Sequence, residues 1–155
     1  MRLRRVREIT VTPTVTLSAY TAADVVGGLM TFAVTDQGFD GAIRRIICTD
    51  DANQKEQYVL YIFDSLPSTI ANDAAFAPTY ADLKLLRDKV TLATADWATL
   101  DGNAVAILGG HEDGAMEIPC HSDNGDLYMY AVATDTPDYV AATDISFIMV
   151  VEVFN

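Results

Sequence analysis

Apolar and polar residues alternate through most of the chain, and that two-residue period is the period of β-strands. Ile9, Val11, Pro13, Val15 and Leu17 alternate with Thr10, Thr12, Thr14 and Thr16. One apolar face and one hydroxyl-bearing, β-branched face predict a strand that is wet on one side. Pro13 donates no backbone hydrogen bond, so the segment lies at a sheet edge or breaks in two there. Leu29–Val34 and Ala42–Cys48 predict the next strands, parted by a loop over Thr35–Gly41 with two glycines and two aspartates. Asp50–Asn53 turns the chain again. Gln57–Phe63 is apolar on both faces, which predicts a central strand covered on both sides, and Asp64 and Pro67 end it.

The rhythm breaks over residues 64–88. Thr79 followed by Asp82 has the form of a helix start, and Leu83 and Leu86 continue one helical face, which predicts a short helix over 80–87. Val90–Ala95 and Ala104–Leu108 predict strands, with a hairpin turn at Asp101-Gly102-Asn103. Residues 109–125 predict a long polar loop. Leu127–Ala133 and Ile145–Phe154 close the chain as strands, and Ile145, Phe147, Met149, Val151 and Val153 form one apolar face. Eight or nine strands, one short helix and no βαβ alternation predict an all-β fold, an antiparallel β-sandwich of jelly-roll type. An immunoglobulin-like sandwich fits less well, because the middle connection is long and no Cys–Trp–Cys pattern is present.

The chain has 155 residues, 50% hydrophobic and 21% charged, which suits one folded domain with a core. Ten Lys and Arg against 22 Asp and Glu give −12. That excludes a protein that coats nucleic acid, which needs dense positive charge. Arg2, Arg4, Arg5 and Arg7 are four of the ten bases, and no Lys or Arg follows residue 89. The expected organisation is a basic arm over residues 1–8 and a single sandwich domain over 9–155. Such an arm reads as a solvated terminus or as a tether for an acidic neighbour, and its removal is expected to leave the fold intact. No membrane partner is expected: the longest apolar stretch, Ile145–Val151, is far below the roughly 20 residues of a span. Cys48, in the run Ile46-Ile47-Cys48, reads as a small buried thiol. Two cysteines make no disulfide scaffold and suit a reducing compartment.

The segment richest in ligand-type side chains holds His111, Glu112 and Asp113, then Glu117, Cys120, His121, Asp123 and Asp126. Its spacing matches no zinc pattern, and a cupin-type centre would need two histidines one residue apart. It reads as a solvated acidic loop. Asp50-Asp51-Ala52-Asn53 lacks the glycine and terminal glutamate of an EF-hand loop. No metal and no cofactor are expected. No serine sits in a nucleophile elbow, and Cys120 and His121, as neighbours on an extended chain, point apart. Gly27-Gly28 and Gly109-Gly110 lack the lysine and strand–loop–helix context of a phosphate cradle. A carboxylate pair for glycoside cleavage stays open, though no aromatic cleft accompanies it. Trp97, the single tryptophan, reads as core.

Ser18-Ala-Tyr20-Thr-Ala-Ala-Asp24-Val-Val-Gly27-Gly28-Leu-Met-Thr-Phe32 resembles an early segment, S-A-Y-x-x-x-D-x-V-G-G-x-x-x-F, of small structural proteins of tailed bacteriophages. Leu60–Asp64 with Pro67, Asn72–Phe76 and Tyr80–Leu83 resemble later pieces of the same proteins, and together the pieces span residues 15 to 90. The resemblance implies a non-enzymatic virion protein, a capsid decoration (cement) protein with a jelly-roll-like fold. It implies the major capsid protein of a phage head as partner, a homo-oligomer with three copies favoured, synthesis in the bacterial host cytoplasm and a place on the head surface. It brings no catalytic residues, and the Arg-rich start is not matched in it. A tail or baseplate component shares the resemblance, and a carbohydrate- or metal-binding jelly-roll module is the reading of another class.

The chemistry of the motif stands by itself. Tyr20 can bury its ring and keep its hydroxyl bonded at a sandwich corner. Asp24 can cap backbone N–H groups of a turn, and Gly27 and Gly28 permit positive φ or close backbone approach. Arg2, Arg4, Arg5 and Arg7 would clamp carboxylates of a partner, while the strand from Ile9 would pair with a neighbour's sheet edge.

Overall fold

Burial follows the two-residue period most clearly in the last strand. Ile145, Phe147, Met149, Val151 and Val153 are all at most 2% exposed, while their even-numbered neighbours are only half-buried. The computed structural model describes residues 3–110 and 115–154. In chain order the strands are β1 (Arg4–Val11), β2 (Val25–Ala33), β3 (Phe39–Asp50), β4 (Tyr58–Phe63), β5 (Leu86–Leu92), β6 (Trp97–Leu100), β7 (Asn103–Leu108), β8 (Ile118–Ser122), β9 (Asp126–Ala133) and β10 (Ile145–Phe154). One short helix, α1 (Tyr80–Leu83), lies between β4 and β5.

Among the described residues every strand pair is antiparallel, and one set is nested: β1 with β10, β2 with β9, β3 with β7 and β8, β4 with β5, while β10 with β3 and β9 with β4 join successive pairs within each sheet. The chain is therefore one long hairpin whose nested pairs fall alternately into two sheets. The first sheet runs β1-β10-β3-β7-β6 with β8 also on β3, and the second runs β2-β9-β4-β5. This rolled hairpin is the jelly-roll sandwich. The inner faces meet through Ile46, Cys48, Phe147 and Met149 on one side and Phe32, Leu60, Ile62, Leu127 and Met129 on the other. The outer face of the second sheet is also covered. Ile70, Phe76 and Leu85, from the 64–85 excursion, pack on Phe63, Tyr128, Tyr130 and Val132. That second small core explains why β4 is apolar on both faces.

Several elements depart from the expected bounds. β1 begins at Arg4, because Arg4 to Glu8 continue the ladder to β10 from Phe154 to Val150. The bases Arg4, Arg5 and Arg7 thus sit in the sheet rather than in a separate arm, and Arg2 lies outside the described residues. β1 is an edge strand and stops before Pro13. The helix is one turn long, because β5 starts at Leu86, where the ladder to β4 pairs Leu86 with Phe63 and Leu92 with Tyr58. Residues 109–125 contain β8, whose Ile118, Cys120 and Ser122 point inward. Asp101 and Gly102 make the hairpin turn with φ of 50° and 83°, the positive pair of a two-residue primed turn. The strand before that turn is β6. Trp97 is buried there, and its indole N–H donates to the Glu56 carbonyl at 2.9 Å.

Candidate functional site

The segments that carry the resemblance converge on one flank of the second sheet. Tyr20 is 1% exposed. Its hydroxyl accepts from Thr16 N–H at 2.8 Å and donates to Asn72 Oδ1 at 2.7 Å. The same Asn72 oxygen accepts from Gly27 N–H at 2.7 Å. Burial raises the phenol above its ordinary range. Asp24 Oδ2 accepts from the Thr21 backbone N–H and the Thr21 hydroxyl at 2.8 and 2.7 Å, closing the turn before β2. Gly27 and Gly28 have φ of 78° and 73° and form a bulge, where the register of β2 on β9 shifts between Val26 and Met30. A Cβ on Gly27 would stand 2.3 Å from Pro13 Cβ, so glycine is what lets the Pro13 ring lie against β2.

Residues 71–76 are stitched to this turn. Val25 N–H donates to Ala74 O, Asp73 N–H to Val25 O and Phe76 N–H to Ala23 O, each at 2.8 Å. The Phe76 ring stacks on Tyr61 with centroids 4.4 Å apart. Asp82 serves the next piece: Oδ1 accepts from Ser68 N–H at 2.8 Å, and Oδ2 accepts from Thr79 N–H and hydroxyl at 2.9 and 2.7 Å. Those bonds, led by Ser68, hold its carboxyl at about 2. All of these groups are spent on the fold, and none is left facing a ligand.

The basic residues divide. Arg4 Nη1 meets Glu152 at 3.2 Å and its guanidinium lies over the Phe154 ring. Arg44 grips the other oxygen of Glu152 at 2.6 Å and Glu117 at 2.9 Å. Arg5 and Arg7 are exposed and make no ion pair among the described residues.

A surface hollow of about 390 Å³ opens where the ends of β3, β4, β8 and β10 meet the start of β5. Asp40, Asp64, Arg87, Cys120, His121 and Phe154 line it. Asp64 is 2% exposed, and its Oδ2 accepts from Arg87 Nε at 2.6 Å and His121 N–H at 2.9 Å. Its Oδ1 has no partner among the described residues. His121 Nδ1 lies 2.7 Å from Asp40, and Nε2 lies 3.0 Å from Asp123. These two carboxylates raise the imidazole pKa and favour the cation, the one form that donates from both nitrogens. Burial, with Asp64 and Asp40 nearby, pushes the Cys120 thiol up to about 12. The thiol therefore stays protonated and the imidazole is held by its own chain, so no thiolate–base pair forms. Along β8, Cys120 faces inward and His121 outward.

The hollow draws on five chain segments. The sequence marks Asp64 as the end of a strand and Arg87 as part of a helix, and no local signal joins them. Among the described residues no three His, Cys, Asp or Glu side chains converge as a metal site, and no helix is long and apolar enough to cross a membrane. His111, Glu112 and Asp113 lie outside the described residues.

No family model and no curated protein matches the sequence. Among solved structures, the chain is similar to one in the Kashmir bee virus empty particle at acidic pH. That match has 9% identity, covers 100% of this chain and 91% of that one, and has a TM-score of 0.35. It is also similar to a chain of the native Kashmir bee virus virion at neutral pH, with 14% identity, coverage of 97% and 68%, and a TM-score of 0.32. At those scores the fold assignment rests on the nested strand order.

Proposed function

We propose that the chain is a non-enzymatic structural protein of a virion, a decoration or cement protein seated on the head shell of a tailed phage. The observation that carries this reading is the convergence of the resembling segments. Tyr20, Asp24, Gly27, Asn72 and Phe76 are spread over more than fifty positions, yet they build one interlocked corner. A resemblance carried by a single physical device is stronger than one carried by scattered short matches. The spent chemistry of the hollow and the rigid double core suit a scaffold. Arg5 and Arg7, exposed on the edge strand, suit contact with carboxylates of a shell protein.

The test uses purified particles of a phage that carries this gene, labelled with a gold-conjugated antibody to the chain. Gold over the head is the expected result. Gold on the tail would favour a tail or baseplate component, and unlabelled particles would overturn the virion reading.

A further inference from the structure

The two sheets differ in what covers their outer faces. The second sheet is roofed by the 64–85 excursion, whereas the described residues form no hydrophobic cluster on the outer face of the first. That face should be polar where it meets water. Instead it carries Ile47, Val105, Ile107, Ile148 and Val150, which belong to neither hydrophobic core. The registers set Thr10, Ile148, Ile47 and Ile107 directly opposite one another in a row across β1, β10, β3 and β7. Glu8, Val150 and Arg45 form the next row. Ile107 is 41% exposed, and Leu100 on β6 is 62% exposed. Thr10, Thr49, Ser146, Glu8 and Arg45 rim the patch. A contiguous aliphatic patch with a polar rim marks a protein interface.

We propose that this face packs on the same face of a second copy, about a two-fold axis that runs along β10. The charges choose the partner. Glu8 and Arg45 stand one strand to either side of Val150, and neither makes an ion pair among the described residues. A two-fold along β10 exchanges the strands on its two sides. It therefore sets each Glu8 over Arg45 of the partner subunit, while Ile148, Val150 and Glu152 meet their own copies, each Glu152 already paired with Arg4 and Arg44 of its own chain. This is an isologous, closed contact. Edge pairing of β1 with another β1 is the rival. Registers centred on Arg7 or Glu8 set Arg7 or Glu8 against itself, and like charges directly opposite are unfavourable, while the register centred on Val6 sets Arg5 against Arg7 as well as Arg4 against Glu8 and so gains nothing net. With strands about 4.8 Å apart and about 3.3 Å per residue, the face from β1 to β7 offers roughly 400 Å² per copy. Roughly 800 Å² over both copies falls below the range of stable interfaces, so the dimer is weak and transient and depends on concentration.

This inference does not rest on the virion reading. Its test is sedimentation equilibrium of the full chain from micromolar to millimolar concentration. The mass should climb from 16.8 kDa towards twice that value. Ile47→Lys should abolish the climb, and Arg45→Glu should weaken it at least tenfold. The double exchange Glu8→Arg with Arg45→Glu should restore it, with circular dichroism confirming that each variant is folded. A monomer at every concentration, a limiting mass of three copies, or a double exchange that fails to rescue would each overturn the proposal.

Discussion

The Tyr20 hydroxyl is a sharp place to test the corner. Tyr20→Phe removes one donor and acceptor and keeps the ring in its 1% exposed site. Two bonds disappear, from Thr16 N–H at 2.8 Å and to Asn72 Oδ1 at 2.7 Å. Each net bond is worth about 1 kcal/mol, and a part-buried N–H left without a partner adds to the loss. The expected cost is about 2–3 kcal/mol. For a chain of this size each kcal/mol moves the melting temperature by about 2–4 °C, so Tm should fall by roughly 4–12 °C. Asn72→Ala removes the shared acceptor and also frees Gly27 N–H, so it should cost a similar amount. Because Tyr20 and Asn72 share a bond, the double variant should cost about 1 kcal/mol less than the sum of the two. Urea unfolding of the four proteins measures the cycle. Single costs below about 0.5 kcal/mol, or strict additivity, would refute the interlocked corner.

Three further outcomes follow from the same geometry. Gly27→Ala should cost about 3 kcal/mol or more, because its positive φ and the overlap with Pro13 add, whereas Gly28→Ala meets nothing closer than 3.6 Å and should cost about 1–2 kcal/mol from φ alone; equal costs by urea unfolding would count against the Pro13 contact. His121 should titrate above its ordinary value by NMR, and Asp40→Asn should bring it down; since the folded pKa is the raised one, the ion pairs stabilise at pH below the unfolded value and are lost as pH rises through the folded one, and a His121 pKa at or below the ordinary value would contradict this. Deleting residues 2–8 strips Arg4 to Glu8 from the β10 ladder and should lower stability by about 2–4 kcal/mol, while an unchanged Tm would return those residues to a free arm.

Where burial is set within a strand, the pattern is readable from the chain. β10 matches its expected bounds because its alternation is unbroken over ten residues. The Asp101-Gly102 turn is readable because few other residue pairs accept positive φ twice. Where a distant partner decides, the pattern misleads. Leu86 looks helical until the ladder to Phe63 recruits it into β5. β8 hides behind Pro119, Cys120 and His121, although Ile118, Cys120 and Ser122 alternate inward. Arg4 to Glu8 look solvated by composition, yet β10 offers an edge long enough to hold them. The Tyr20 and Asp24 roles follow from residue chemistry, but their partner Asn72 lies 52 positions from Tyr20 and carries no local signal. The hollow is less readable still, because it exists only where five segments meet.

A nested hairpin makes the sandwich, the resembling segments lock one corner, and the proposed partners meet the outer face of the first sheet and its edge strand. The trimer implied by the resemblance and the two-fold contact argued from Glu8 and Arg45 differ in mass, so the same sedimentation run separates them. The most direct test of the central claim is the copy number of this chain in purified particles, by quantitative mass spectrometry against the major capsid protein. A cement protein should be present within a few-fold of the capsid protein. Absence from particles, or only the few copies of a tail part, would contradict the account.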